Sequence, residues 1–222
     1  MNKPDDLTAV RDRILLAALP HTAFDGWSRT ALEAGAKDAG GDAGKAEGWG
    51  AEMAMRAFPN GVPDLVDHLA NWADRRMLED LAELDLESMR IRDRIATGVR
   101  LRLQALSPYR EGIRRLLSHL ALPQNAPQAA RLTWAAADAI WYAAGDTSSD
   151  FNYYTKRGLL APVYSTTLLY WLADESEGFA GTWSYLDRRI ADVLKIPAAS
   201  SRIKKALASL PGPFGAFRRA RG

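Results

Sequence analysis

The sequence predicts an all-α fold, built as an orthogonal bundle of nine to ten helices. Apolar residues recur at helical spacing from end to end, whereas runs of alternating β-branched residues are few. No Asn-Gly dipeptide stands between two candidate strands, so the usual signal of a β-hairpin is missing. The connections between the helical segments are short, which is typical of helices that pack against their neighbours in one bundle.

Prolines, glycines and capping residues set the predicted boundaries of these helices. Pro20 lacks the amide hydrogen that a helix interior needs, so it is expected to end the first helix. Asp25 is expected to cap the second helix, and a Phe-Pro-Asn-Gly turn at 58–61 separates the third helix from a long fourth. The predicted helices are 7–20, 27–36, 45–57, 63–84, 87–106, 109–120, 126–144, 151–173 with a bend at Pro162, 178–194 and 198–210.

Residues 1–61 are predicted to form a degenerate helix-turn-helix head. The order of a first helix, two short helices and a long helix, with the turn at 58–61, resembles tetracycline-repressor-type regulators over residues 5–80. This resemblance implies a tetracycline-repressor-like fold. A helix that reads DNA needs basic and amide side chains, but the third helix carries Glu47, Glu52 and two glycines. We therefore expect no nucleic-acid binding, and a ligand-responsive transcriptional regulator of this type is the alternative function.

The composition argues against catalysis. The 222 residues include no cysteine, which rules out disulfides, thiolate metal sites and a cysteine nucleophile. The three histidines stand far apart without metal-ligand spacing, and no nucleophile can be combined with a base and an orienting group. We therefore predict that the protein is not an enzyme and uses no cofactor and no metal.

The start of the chain, MNKPDDLTAV, has acidic residues where a secretory signal would have a basic and then an apolar region. It also lacks the arginine and serine bias of an organelle transit peptide. No apolar run approaches the roughly 20 residues that a membrane-crossing helix needs. We therefore predict no signal or transit peptide, and a location in a bacterial cytoplasm, peripheral to the inner membrane.

Residues 197–222 are predicted to form a basic amphipathic tail that associates with a membrane. Seven basic and no acidic residues follow Asp192, while the first 192 residues carry 22 basic and 27 acidic groups. Apolar residues of the tail recur at helical spacing with cations beside them, so an anionic membrane surface is the expected partner. A helix folded back on the bundle is the alternative. The predicted membrane-contacting residues are Ile203, Lys204, Lys205, Leu207, Leu210, Phe214 and Phe217.

Residues 62–196 are predicted to form a helical ligand domain. Twelve of the 20 aromatic residues lie between Trp134 and Tyr185, which gives this region more apolar contact area than its helices need. Such an excess favours an enclosed site for an apolar ligand, although a plain core is the alternative. The predicted lipid-binding residues are Trp134, Ile140, Trp141, Leu159, Val163, Leu168 and Leu172.

Three blocks of sequence carry a more specific resemblance. They are PHTAFDGWSRTALEAGA at 20–36, DFNYYTKRGLLAPVYSTTLLYWLADES at 150–176 and TWSYLDRRI at 182–190. In this order they are similar to the lipid-binding accessory protein of coenzyme Q (ubiquinone) biosynthesis, the ninth protein of the Coq set.

The resemblance implies a homodimer, a pocket for an isoprenoid lipid or quinone intermediate, and residues 62–196 as the lipid-binding and dimerisation domain. It also implies that the protein presents a membrane-derived quinone intermediate to a di-iron hydroxylase that modifies the quinone ring. Tyr153 stands where tryptophan is expected, and Lys156 stands where animal members carry arginine. Lysine cannot make the two-pronged bond of arginine. The partner-binding patch of the family falls on Asp150, Asn152, Tyr153, Tyr154 and Arg157.

Overall fold

Nine α-helices make up most of the described chain. A computed structural model describes residues 7–46, 49–147 and 151–209. Within these ranges there is no β-strand, which confirms the prediction of an all-α bundle. The helices are α1 Leu7–Asp25, α2 Arg29–Ala46, α3 Ala51–Ala57, α4 Val62–Ala82, α5 Ile91–Leu106, α6 Arg110–Leu120, α7 Ala126–Ala143, α8 Phe151–Ala173 and α9 Ala180–Ser209. None of the helices in these ranges combines the length and the apolar character that crossing a bilayer requires.

Two helix boundaries in the head differ from prediction because of packing and capping. α1 does not end at Pro20 but continues to Asp25, since Leu19 and Thr22 on either side of the exposed proline are buried in the core. α2 begins at Arg29 rather than at residue 27. Its first turn is capped by Ser28, whose Oγ accepts a hydrogen bond from the amide of Ala31 at 3.2 Å, so Asp25 is not the cap.

Other boundaries shift further along the chain. α2 extends to Ala46 across a kink at Gly41, where φ is 54°, and α3 consequently starts at residue 51 rather than at 45. α5 starts at residue 91 rather than at 87, because the guanidinium of Arg94 donates to the carbonyls of Met89 (3.1 Å) and Glu87 (3.4 Å) and holds them in a loop. α9 is one helix from 180 to 209 where two were predicted.

The crossing of α1 and α2 holds the head together. Gly35 on α2 lies directly against Ala18 on α1, so that a Cβ at position 35 would collide with the Cβ, the Cα and the backbone nitrogen of Ala18. Ala18 is fully buried at this point. The missing side chain of Gly35 therefore lets the two helices approach at backbone distance.

The head is joined to the rest of the bundle by buried and partly buried polar contacts. Trp27 Nε1 donates to the carbonyl of Gly112 at 2.9 Å, and Asp12 pairs with His68 Nε2 at 2.7 Å and with Arg75 Nη2 at 2.5 Å. Burial lowers the pKa of His68 in spite of the opposing effect of Asp12, so the imidazole is neutral at pH 7. One continuous apolar core runs from the head through the remaining helices.

Asp174 closes the turn between α8 and α9. Its carboxylate accepts hydrogen bonds from the amide and the hydroxyl of Ser176, at 2.9 and 2.6 Å, and from those of Thr182, at 2.7 and 2.6 Å. Burial by itself would raise the pKa of Asp174, but these four bonds favour the charged form and hold the pKa well below its usual range.

The variant Asp174→Asn is expected to lower the free energy of unfolding by about 2 kcal/mol at neutral pH, since bonds to a charged acceptor are lost. Because the pKa of Asp174 is lower in the folded than in the unfolded chain, its stabilisation is present above the ordinary value of 3.8 and is lost as pH falls below it. Urea titrations at about pH 7, 5 and 3 measure this difference between the two proteins. A difference as large at the lowest pH as at the highest would contradict the assignment.

Candidate functional site

An apolar pocket of about 330 Å³ lies between α4, α5, α6, α7 and α8. This volume falls in the lower part of the range of about 300–1,000 Å³ that is typical of small-molecule sites. Most of its wall is aliphatic, with few polar side chains. The lining residues are Val66, Leu69, Ala70, Ala73, Arg102, Leu106, Ile113, Leu116, Leu117, Leu120, Ala121, Ala129, Leu132, Thr133, Ala136, Tyr164, Ser165, Leu168 and Leu169.

One wall of the pocket is α6, an amphipathic helix. Ile113, Leu116, Leu117 and Leu120 recur at i, i+3, i+4 and i+7 and all line the cavity. The alanines of α4 and α7, such as Ala73 on α4, leave space opposite these larger side chains. The cavity therefore arises from the alternation of large and small residues on facing helices.

Two arginines anchor α6 to the carboxyl end of α8. Arg110 Nη2 donates to the carbonyls of Trp171 (2.7 Å) and Asp174 (2.9 Å), and Arg114 Nη2 donates to that of Leu172 (2.6 Å). These carbonyls belong to the last turn of α8 and the residue that follows, where a helix leaves its acceptors without partners. The two arginines of α6 thus satisfy carbonyl oxygens at the carboxyl end of α8.

Arg102 and Tyr164 form a polar corner in the lining of the pocket. The guanidinium is buried; its Nε donates to Asp74 Oδ1 at 2.7 Å, and its Nη1 donates to the hydroxyl oxygen of Tyr164. Burial by itself would lower the pKa of Arg102, but Asp74 and Tyr164 raise it above its ordinary value. Burial raises the pKa of Tyr164 against the lowering effect of Arg102, so the phenol is neutral at pH 7.

The residues predicted to bind lipid take several positions in the structure. Leu168 lines the pocket, together with its neighbour Leu169. Trp134 is partly exposed beside Tyr154, with ring centroids 6.3 Å apart. Leu159 is partly buried outside the lining. The others pack in the core between helices: Ile140, Trp141, Val163 and Leu172.

Sequence reasoning missed the contributions of α4, α5 and α6 to the pocket. The signal for α6 was its narrow apolar stripe, which is also the pattern of any helix that packs on a core. The signal for Arg102 was its position on the same helix face as the buried Val99, Leu103 and Leu106. A basic residue normally lies on the solvent-exposed face of a helix. Neither pattern separates a pocket wall from a packed interior.

A buried ionic network joins α7 to α8. The side chains of Arg157 and Asp146 are each 3% exposed, and Arg157 donates to Asp146 Oδ2 at 2.7 Å and to Asp138 Oδ1 at 2.6 Å. Lys156 Nζ pairs with Asp146 Oδ1 at 2.5 Å, and the hydroxyl of Tyr153 donates to Asp138 at 3.0 Å. Burial by itself would lower the pKa of Arg157, but the two carboxylates raise it, so the cation is permanent.

The network supports an aromatic patch, defined here as Trp134, Tyr153 and Tyr154. The guanidinium of Arg157 stacks on the ring of Tyr153 at 3.6 Å, and Tyr153 meets Tyr154 edge to face at 5.1 Å between centroids. Tyr154 is 63% exposed. Of the predicted partner-binding residues, Tyr153 and Tyr154 thus form a surface, while Arg157 holds it from below.

Several predicted site residues lie where the structure gives no side-chain description. Asp150 falls outside the described ranges, and the side chain of Asn152 is not described. α9 includes four of the predicted membrane-contacting residues, but nothing is described of their side chains: Ile203, Lys204, Lys205 and Leu207. The other three lie beyond the described residues: Leu210, Phe214 and Phe217. Among the described residues, no group of three or more His, Asp or Glu could hold a metal ion.

Comparisons with known proteins identify related sequences. Residues 126–197, which contain the ionic network, the aromatic patch and the whole of α8, match the family model described as COQ9. The proteins named "Ubiquinone biosynthesis protein COQ9, mitochondrial" from Rattus norvegicus and Homo sapiens are 34% and 33% identical over 202 residues, or 88% of this chain. The protein of the same name from Drosophila melanogaster is 32% identical over 198 residues. The chain spans 62%, 61% and 58% of the length of these three relatives.

A solved structure supports the predicted fold. The crystal structure of the TetR transcriptional regulator from Nitrosomonas europaea superposes with a TM-score of 0.63 at 20% sequence identity, covering 84% of this chain and 98% of that chain. At this identity the likeness shows the fold alone. It confirms the tetracycline-repressor-like arrangement of helices.

The predicted location in a bacterial cytoplasm at the inner membrane is wrong. The names of the relatives from rat, human, cattle and fly place those proteins in mitochondria. The residues MNKPDDLTAV were therefore a poor guide to compartment. Residues 126–197 thus match the COQ9 family model, and the sequence is similar to proteins named COQ9 over 88% of this chain, at 33–34% identity.

Proposed function

We propose that this chain is a non-catalytic lipid-binding component of ubiquinone biosynthesis, which holds an isoprenoid lipid or quinone intermediate in the pocket between α4 and α8. The aliphatic pocket of about 330 Å³ is the observation that carries the proposal. Its lining would bury a prenyl chain at about 25 cal/mol for each Å² removed from water. The relatives named as ubiquinone biosynthesis proteins support the choice of ligand class.

The aromatic patch is the proposed docking surface for the quinone-ring hydroxylase that receives the intermediate. Tyr154 offers an exposed ring, and the ion pairs beneath it fix the neighbouring Tyr153. Rigid aromatic side chains are enriched at protein interfaces because they bury much area with few rotatable bonds. Arg157 contributes to this surface as a positioning residue, since both of its carboxylate partners lie within the network.

A homodimer and an anionic membrane surface complete the proposed assembly. Exposed Leu169 and Tyr170 on α8 leave apolar area on the outside of the bundle, which supports contact with a second copy. The acid-free sequence after Asp192 supports attraction of residues 197–222 to anionic lipid.

The alternative function, a transcriptional regulator, has little support in the helix that would enter DNA. α3 has only seven residues, Ala51–Ala57, with Glu52 in its first turn and Arg56 in its last. An acid at the start of a recognition helix repels phosphate. We propose that the head has a structural role and binds no nucleic acid.

The variant Leu168→Trp tests the pocket. A larger ring at this partly buried lining position fills space that a ligand needs, so co-purifying lipid, measured by mass spectrometry, should fall by about tenfold, as expected for a loss of 1.4 kcal/mol. The matched control is Leu84→Trp, because Leu84 is exposed and lies outside the pocket. Wild-type protein that carries no isoprenoid or quinone species, or a variant that retains all of it, would count against the proposed function.

A further inference from the structure

We propose that Tyr164 and Arg102 form a selective polar end of the pocket, which recognises ligands whose head carries a neutral, hydrogen-bond-accepting oxygen such as a quinone carbonyl. This inference rests on the proposed lipid-binding function and deepens it. It assigns the orientation of the ligand, with the polar head at Tyr164 and the apolar chain along the aliphatic walls.

The position of the pair supports this assignment. Arg102 comes from α5 and Tyr164 from α8, and both line the pocket although each is at least nine-tenths buried. Among the lining residues that the structure describes, Arg102 is the one with a charged side chain. The hydroxyl of Ser165, another polar lining residue, already donates to the carbonyl of Ala161 at 3.0 Å within its own helix. A ligand oxygen therefore finds its strongest electrostatic environment at the Arg102 corner.

The charge of this corner is already balanced. The guanidinium of Arg102 meets Asp74 at 2.7 Å, and Asp74 is itself largely buried. An anionic ligand head would therefore face a neutral pair and would have to leave water without a full charge partner, which is unfavourable. A carbonyl oxygen has no charge to desolvate. The corner consequently favours a neutral acceptor over a carboxylate or a phosphate.

The hydroxyl of Tyr164 supplies the donor. Its oxygen accepts a hydrogen bond from Arg102 Nη1, and because the phenol is protonated at pH 7 its hydrogen remains available to donate. Within the described part of the chain, this hydroxyl donates to no protein acceptor. Buried hydroxyls normally have a partner for their hydrogen. A ligand carbonyl in the pocket would provide one, and the donation from Arg102 would polarise the O–H bond and strengthen it.

Binding measurements on the full-length chain test the inference. The probes are a short-chain prenyl benzoquinone, the same prenyl chain ending in hydrogen, and a fatty acid of similar length, each titrated by isothermal titration calorimetry. Wild-type protein should bind the quinone about fivefold more tightly than the hydrocarbon, the effect of one net hydrogen bond, and more tightly than the fatty acid. Tyr164→Phe should lose the preference for the quinone while keeping its affinity for the hydrocarbon.

A matched control and a spectroscopic measurement separate recognition from structure. Tyr142→Phe makes the same chemical change on the neighbouring helix α7, at a ring that is 71% exposed and outside the pocket, and should leave the preference intact. The carbonyl infrared band of the quinone bound to wild-type protein should lie below its position in hydrocarbon solvent, and in Tyr164→Phe it should return toward that position. This band needs only the wild-type protein, so the test holds even where the variant folds poorly.

The possible outcomes distinguish this inference from the proposed function. If wild-type protein binds neither the quinone nor the hydrocarbon, the proposed function fails, and the inference fails with it. If it binds both equally, or shows an unshifted carbonyl band, the lipid-binding function stands and the selective polar end is overturned. Tighter binding of the fatty acid than of the quinone would equally overturn the preference for a neutral head.

Discussion

Replacing Gly35 with valine is expected to lower the free energy of unfolding by about 3 kcal/mol. A Cβ at this position would collide with the Cβ, the Cα and the backbone nitrogen of Ala18, none of which can rotate away. α1 and α2 would have to separate, and the buried contacts between them would loosen. Denaturation in urea, followed by circular dichroism, measures the change.

The matched control for this prediction is Gly158→Ala in α8. A Cβ at position 158 meets no atom within 4 Å, and the residue is exposed within a helix. Alanine has the higher helix propensity, so this variant should be more stable than wild type by about 0.5–1 kcal/mol. If Gly35→Val were as stable as wild type, the close crossing of α1 and α2 would not contribute to the stability of the head.

Arg157→Met is expected to lower the free energy of unfolding by about 3 kcal/mol, because it leaves a buried carboxylate short of a partner. Asp146 would retain Lys156 at 2.5 Å but would lose the guanidinium at 2.7 Å, and Asp138 would lose its contact at 2.6 Å. The ring of Tyr153 would also lose the cation that stacks on it. Urea denaturation measures the loss of stability, and near-ultraviolet circular dichroism follows the disordering of the aromatic patch.

An exposed arginine on the neighbouring surface provides the control for Arg157. Arg131 pairs with Asp67 at 3.0 Å, but its side chain is 60% exposed, so Arg131→Met should change stability by less than about 1 kcal/mol. Equal effects of the two methionine variants would mean that the α7–α8 network behaves as an ordinary surface ion pair. The aromatic patch would then lack the rigid support that we assign to it.

Much of the fold could be predicted because the helices are long and strongly periodic. The errors occur where local rules compete with packing. Pro20 costs α1 a hydrogen bond, yet the burial of Leu19 and Thr22 keeps the helix going to Asp25. The caps show the same limit, since Ser28 and Asp25 are both good capping residues and only the path of the chain selects Ser28.

The position of the pocket could not be predicted from the sequence pattern. The density of aromatic residues pointed to α7 and α8, but many of these rings are used for packing: Trp171 is fully buried, and Trp141 Nε1 donates to the carbonyl of Lys156 at 3.0 Å. The pocket is lined instead by aliphatic side chains from several helices. The helical spacing of these side chains is the same whether the facing helix packs against them or leaves a pocket beside them.

The tail illustrates a different limit of prediction. Its charge and its apolar spacing follow directly from the sequence, whereas the structure describes none of the side chains that would contact lipid. The compartment could not be predicted from composition, because a surface that attracts anionic lipid serves equally well in any compartment with such a membrane.

The anchoring of α6 by Arg110 and Arg114 restricts how far the pocket can widen. Moving α6 outward to widen the cavity would break three hydrogen bonds to carbonyls at the end of α8, so expansion on that side is costly. The pocket is consequently rigid at its aliphatic α6 wall. If the pocket binds a quinone as proposed, a polyprenyl substituent longer than the pocket would have to extend outside it, where its far isoprene units could contact the bilayer.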